Sequence, residues 1–215
     1  TVTGAAGGVR FVPRLSQASA LAYVQELCGV LSDPGRVLPG NFLYIQDLLS
    51  QPDTLEVLGA IMAGPYFAAA PDFVLTVETK GIPFALMVAR ALGVQLVIAR
   101  RDHKAFEGSV VTINYISGSG GEMKTMSLAK RAVRPGQKAL IVDDVTKDGG
   151  TVRGMVELMQ EFDVTTVGVG VMVERRREGA PRIYEDIRSL FIVSDAMDAR
   201  QGAVVHPAPW LEVQE

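Results

Sequence analysis

The sequence predicts an α/β fold in which a mostly parallel sheet is flanked by helices. Three observations predict it. The chain has 215 residues, 48% of them hydrophobic, enough for one domain with its own core. Short continuous apolar runs recur after Phe73, as suits strands covered on both faces. Those runs alternate with segments whose apolar residues recur at helical spacing.

The elements follow in order. Thr1 to Gly8 holds three glycines and two alanines and does not begin with methionine. Residues 1–14 are therefore expected to be linker-like, the domain to occupy 15–215, and the chain to be a piece of a longer protein. From Ser16, the residues Leu21, Val24, Leu27, Cys28 and Leu31 describe one helical face, which Asp33, Pro34 and Gly35 stop. Asp53 and Glu56 stand at capping-box spacing before Leu58, Ile61 and Met62, predicting a second helix that ends before Gly64 and Pro65. Both helices are expected to pack beside the sheet and carry no chemistry.

Five buried parallel strands are predicted at Phe73 to Val77, Leu96 to Ala99, Ala139 to Asp143, Thr166 to Val173 and Leu190 to Val193. Pro83 opens a helix that Gly93 closes; Gly150 and Thr151 open another that runs through Met155 and Leu158. Between Ser109 and Ile116, Val111, Ile113 and Tyr115 alternate with Val110, Thr112 and Asn114, as in an antiparallel strand. The glycine-rich loop from Ser117 to Glu122 reads as a flap over a ligand or as an ordinary hairpin connection.

Composition excludes several classes. The net charge of -3 provides no basic field for duplex binding. No apolar run reaches the roughly 18 residues that span a bilayer, so the expected location is cytoplasmic and no membrane partner is expected. One cysteine and two histidines make a protein-held zinc site untenable, and Cys28 reads as a packing residue. His103 needs no proton chemistry, and His206 reads as solvated. Arg175, Arg176 and Arg177 read as surface charge, and Trp210 as cover for a core edge or dimer contact.

The chemistry concentrates in Leu140-Ile141-Val142-Asp143-Asp144-Val145-Thr146-Lys147-Asp148-Gly149-Gly150-Thr151. An apolar strand ends in two carboxylates and turns through glycines into a helix. Carboxylates accept hydrogen bonds from a vicinal diol, while the following amides and the helix dipole hold a phosphate dianion. The diol and 5-phosphate of one ribose fit that order. The bland alternative is that the acids only cap the helix and the glycines only turn the chain.

This stretch resembles the PRPP (5-phosphoribosyl-1-pyrophosphate) motif of the type I phosphoribosyltransferase fold. The resemblance implies that Asp143 and Asp144 hold the ribose hydroxyls and that Thr146, Lys147, Asp148, Gly149, Gly150 and Thr151 surround the 5-phosphate. Asp148 departs from the threonine usual there and repels phosphate unless it points away. Val77-Glu78-Thr79-Lys80-Gly81-Ile82-Pro83 resembles the pyrophosphate loop, which implies that Thr79, Lys80 and Gly81 face the pyrophosphate. Arg100-Arg101-Asp102-His103-Lys104 stands where the family places a pyrophosphate-reaching base, making Arg101 and Lys104 candidates. Magnesium is expected, carried mainly by the ligand's own oxygens.

A narrower resemblance covers almost the whole chain. Gly4-Ala5-Ala6-Gly7-Gly8-Val9, Ile113-Asn114-Tyr115-Ile116-Ser117-Gly118-Ser119 and Thr125-Met126-Ser127-Leu128-Ala129-Lys130-Arg131 resemble the effector domain of the purine operon repressors of Gram-positive bacteria. The resemblance implies a homodimeric regulator induced by PRPP, with a winged-helix DNA-binding domain ahead of these residues. It also implies a flexible loop that includes Tyr115, Ser117 and Gly118. The rival expectation is an active purine phosphoribosyltransferase. An enzyme of that kind needs a hood over the base, and none is read in Ser194 to Glu215.

Overall fold

A computed structural model describes residues 2–3, 9–10, 15–101, 108–117, 122–147, 149–176 and 186–212. Val2–Thr3 (β1) pairs antiparallel with Val9–Arg10 (β2), a short ladder within the stretch expected to be a linker. Helix α1 (Gln17–Leu31) opens on Ser16, whose side chain accepts the amide of Ser19, and buries Val24, Cys28 and Leu31. Burial pushes the Cys28 thiol up to about 11, so it behaves as a small apolar side chain. Next comes a hairpin of two short strands, Val37–Leu38 (β3) and Phe42–Leu43 (β4).

Helix α2 (Pro52–Ala63) starts two residues earlier than the capping-box pattern implies. Proline at its first position preorganises the backbone, and Asp53 falls in the first turn, where it meets the helix dipole instead of capping the helix. The core alternation follows: β5 (Phe73–Val77), α3 (Ile82–Leu92) and β6 (Gln95–Ala99). Gly93 closes α3 in the left-handed region at φ 74°, as the sequence predicts. An antiparallel hairpin, β7 (Val110–Ser117) and β8 (Glu122–Ala129), precedes β9 (Lys138–Thr146), α4 (Gly150–Gln160), β10 (Thr165–Arg176), β11 (Arg188–Ser194) and β12 (Val205–Pro207).

The main sheet runs in the order β12-β11-β10-β9-β5-β6. Its five expected strands are all parallel, and β12 adds an antiparallel edge that no periodicity in three residues could announce. From β5 the chain winds through α3 to β6 at one edge, whereas β9, β10 and β11 build towards the other. The order therefore reverses between β5 and β9, and a crevice opens at their carboxyl ends.

Alternation along the strands feeds two cores. Val74, Leu140 and Val142 face α1, α2 and α3. Phe73, Leu75 and Ile141 face α4 and the β7–β8 hairpin. Each fully buried leucine, isoleucine or phenylalanine contributes about 1.5–3 kcal/mol, so both faces of the sheet are held firmly beneath the crevice.

Candidate functional site

Strand β9 continues through both acids to Thr146, longer than the apolar run alone marks. The chain then turns at Gly149, whose φ of 79° lies in the left-handed region, and enters α4. The Gly149 amide donates to Thr146 Oγ1 at 3.1 Å, which closes the turn. The first amides of α4 have no intrahelical partner and face the carboxyl ends of the strands.

A cavity of about 920 Å³ opens here. Asp144, Thr146, Lys147, Gly149, Gly150 and Thr151 form one wall, and Lys80 reaches it from the loop after β5. Asp143 is placed differently. It is 6% exposed, and its Oδ1 accepts the amide of Asp144 at 3.0 Å. Burial first, and then the neighbouring charge of Asp144, hold its carboxyl well above the ordinary carboxylate range.

Gly81 explains how the two loops meet. A Cβ there would lie 2.5 Å from Asp143 Oδ1 and 2.9 Å from Thr76 Oγ1, so only glycine lets the β5 loop approach the acids. Thr79 and Gly81 lead directly into α3: the Thr79 carbonyl accepts from Ile82 and the Gly81 carbonyl from Ala85. The peptide bond between Glu78 and Thr79 is cis. Glu78 joins the loops: its Oε1 pairs with Arg100 Nη1 at 2.9 Å, and its Oε2 accepts the Arg101 amide at 3.1 Å. Arg101 itself is exposed. Lys104, Asp148 and Gly118 lie outside the described residues.

The glycine-loop hairpin is seated on α4. Tyr115 is 5% exposed and packs into the notch at Gly154. It belongs to the second core and does not line the large cavity. Ser117 pairs with Glu122 at the end of the ladder.

Two features escape the sequence reading. The first is a hood: Leu38, Phe42, Tyr44 and Ile45, from the β3–β4 hairpin and the segment after it, line the cavity together with the turn. Phe42 is 62% exposed although it is aromatic. A cover of the kind a base would need is thus present, built by residues 37–46 and not by the carboxyl-terminal segment. The available signal was Gly40-Asn41 between apolar residues, both with positive φ (79° and 62°), which marks a tight hairpin. The hairpin is anchored by Arg36, which donates to both carboxylate oxygens of Asp47, at 2.8 and 2.6 Å, and to the Tyr44 carbonyl.

The second is Arg175. Strand β10 runs to Arg176, which places Arg175 inside the sheet at 8% exposure and corrects its reading as surface charge. Its Nη2 lies 2.6 Å from Asp195 Oδ1, and Lys147 Nζ lies 3.5 Å from the same oxygen. Arg177 lies outside the described residues. Trp210 covers a core edge as expected, donating from Nε1 to the Ser189 carbonyl.

With this geometry in hand, the kinship is readable. The phosphoribosyl transferase domain family matches residues 46–205. The purine biosynthesis transcriptional repressor PurR of Bacillus subtilis is 45% identical over 90% of this chain and 68% of its own. The chain belongs to the PurR family of purine biosynthesis regulators. Other relatives in that family carry the names regulator and activator. A xanthine phosphoribosyltransferase of Bifidobacterium adolescentis is 30% identical over 84% of this chain and 98% of its own. Among solved structures, an adenine phosphoribosyltransferase from Rhodothermus marinus superposes with a TM-score of 0.63 at 22% identity, covering 78% of this chain and 97% of the other. That likeness shows the fold, type I phosphoribosyltransferase-like as the sequence predicts. Among the described residues, no helix is long and apolar enough to cross a membrane. Among them, too, no group of three or more histidine, cysteine, aspartate or glutamate side chains gathers to hold a metal.

Proposed function

We propose that this chain is the PRPP-binding effector domain of a cytoplasmic, homodimeric repressor of purine biosynthesis genes. One observation carries the reading: Asp144, Thr146, Lys147, Gly149 and the amino end of α4 line a single cavity, at the point where the strand order reverses. Asp144 accepts from the ribose diol. The 5-phosphate sits on the amides from Lys147 to Thr151, and Lys147 supplies charge. Lys80 and Arg101, from the two neighbouring loops, take the pyrophosphate. Magnesium enters with PRPP on the ligand's own oxygens; an open carboxylate at Asp144 suits a cation brought in this way.

DNA is contacted by a winged-helix domain in the longer protein, ahead of these residues. PRPP acts as inducer: it binds better to the form of the dimer that has low DNA affinity, and it shifts the balance by that difference alone. The supporting test is calorimetric titration of PRPP with magnesium into wild type and the Asp143→Asn, Asp144→Asn double variant. Binding confined to wild type is expected; equal binding by both would refute the site. For the regulatory step, operator affinity of the full-length protein should fall when PRPP is added.

The hood and the similarity to a xanthine phosphoribosyltransferase favour a second reading, transfer of ribose 5-phosphate from PRPP to a purine base. Incubating the chain with PRPP, magnesium and each purine base separates the two, since release of pyrophosphate would establish the enzyme.

A further inference from the structure

Strand β6 ends at Ala99, and the two arginines that follow leave the main sheet. A chain leaving a ladder gives up the partners of its backbone amide and carbonyl, which side chains or water must then replace. At Arg101 side chains from two other elements do so. Its amide donates to Glu78 Oε2 at 3.1 Å, and its carbonyl accepts from Thr125 Oγ1 of β8 at 3.1 Å. The residue before it is fixed as well. Arg100 exchanges two backbone hydrogen bonds with Ser127, each 2.8 Å, and its Nη1 meets Glu78 Oε1 at 2.9 Å. The Glu78 amide donates in turn to the Ala99 carbonyl.

A carboxylate at the head of a loop that meets an anion is unexpected, because it repels a pyrophosphate. The placement of Glu78 removes the conflict. Arg100 neutralises it, and it lines a separate cavity of about 660 Å³ beside β6, not the one that the turn lines. The charge of Arg101 is felt instead at the acid pair. Burial first, and then Asp144, raise the Asp143 carboxyl, while Arg101 pulls it down, so the guanidinium stands on the side of the acids. The two arginines thus have different tasks: Arg100 neutralises Glu78, and Arg101 serves the cradle. With the peptide planes on either side of Arg101 held, only its side chain has to be ordered when an anion arrives.

We propose that Glu78 is a positioning residue for Arg101: together with Thr125 it holds the Arg101 backbone so that the guanidinium meets the pyrophosphate of the ligand, which Glu78 itself does not touch. The inference rests on the reading that the cavity binds PRPP with Arg101 on the pyrophosphate. The position calls for a carboxylate because it must accept twice, once from the Arg101 amide and once from the Arg100 guanidinium. A glutamine accepts at one of those points only and turns an N–H donor on the other.

The test compares PRPP with ribose 5-phosphate, which has the same sugar phosphate and no pyrophosphate, by calorimetry at one magnesium concentration. The quantity read is the ratio of the two affinities within each protein, which a general loss of stability does not move. Wild type should favour PRPP, and Arg101→Ala should lower the ratio at least about ten-fold, the worth of a charged hydrogen bond. Glu78→Gln should lower it about three- to ten-fold and leave the affinity for ribose 5-phosphate unchanged. In the Arg101→Ala background the same change should add nothing, because no guanidinium remains to be placed. Thr125→Val, a near-isosteric change at the surface, should lower the ratio about three-fold and serves in place of Glu78→Gln should that variant not fold. A ratio that these variants leave at the wild-type value overturns the proposal and leaves the PRPP reading standing. A fall of equal size in the Arg101→Ala background also overturns it, since Glu78 would then act without Arg101. A wild-type ratio near one, or binding of neither ligand, overturns both the proposal and the PRPP reading.

Discussion

Replacing Gly154 with alanine sets two effects of known size against each other. Inside a helix, alanine is favoured over glycine by about 0.8–1.0 kcal/mol, so on local grounds the change stabilises. The new Cβ would lie 2.8 Å from Tyr115 Cγ, 2.9 Å from Tyr115 Cβ and 3.1 Å from Met126 Cε. Met126 can bend away, but the two tyrosine atoms are at the root of a buried side chain and move only with β7 itself. Overpacking of this kind costs about 1–3 kcal/mol. The net expectation is a loss of about 0–2 kcal/mol, and a lowering of Tm by up to roughly 8 °C for a chain of this length. Thermal denaturation followed by circular dichroism measures it, and limited proteolysis of the β7–β8 hairpin should accelerate in parallel. A Tm above wild type would mean that helix propensity had won, and that Tyr115 is not seated on α4 as described.

Gly81→Ala places a Cβ 2.5 Å from Asp143 Oδ1; PRPP affinity by calorimetry should drop at least about ten-fold, because the β5 loop must retreat from the acids. Asp143→Asn should alter the pH dependence of stability. The folded pKa of Asp143 is raised, so from its unfolded value of about 3.9 up to the raised value the folded state binds more protons and stability falls as pH rises. The variant should therefore melt higher than wild type near neutrality and show a flatter Tm profile over that window; an unchanged profile would count against the buried acid. Arg36→Ala removes the anchor of the hood at Asp47 and Tyr44, and should raise the protease sensitivity of residues 37–46 while costing about 1–2 kcal/mol in a chemical melt.

The parallel sheet was legible because strands covered on both faces must be apolar throughout, and Phe73–Val77 and Leu140–Val142 carry that requirement on their surface. That the turn after β9 lines a cavity is legible because acids, glycines and a hydroxyl are contiguous in sequence. The hood was not, since β3 and β4 have two residues each and two residues hold no period. The burial of Arg175 is hidden for a related reason: three arginines in a row look solvated, yet β10 carries its burial on through Glu174 and Arg175 before Arg176 emerges. The partner of Arg175, Asp195, lies on another strand's end, and such long-range pairing has no local signature.

The same physics bears on the acid pair. Adjacent residues of a strand point to opposite faces, so Asp143 and Asp144 cannot present equivalent carboxylates to one ligand. Asp144 shares its side of β9 with Val142 and faces the cavity. Asp143 shares its side with Ile141 and lies beneath Gly81. A ribose diol could touch both only by straddling the strand's end, with Gly81 drawn aside. The two single variants should therefore differ: Asp144→Asn removes a charged acceptor, a loss of about 1.5–3 kcal/mol or roughly 10- to 150-fold in PRPP affinity, whereas Asp143→Asn acts through the loop and costs less. Equal losses, measured side by side with magnesium held constant, would show that the sugar straddles the strand after all and that the cavity closes further round its ligand than the unliganded geometry implies.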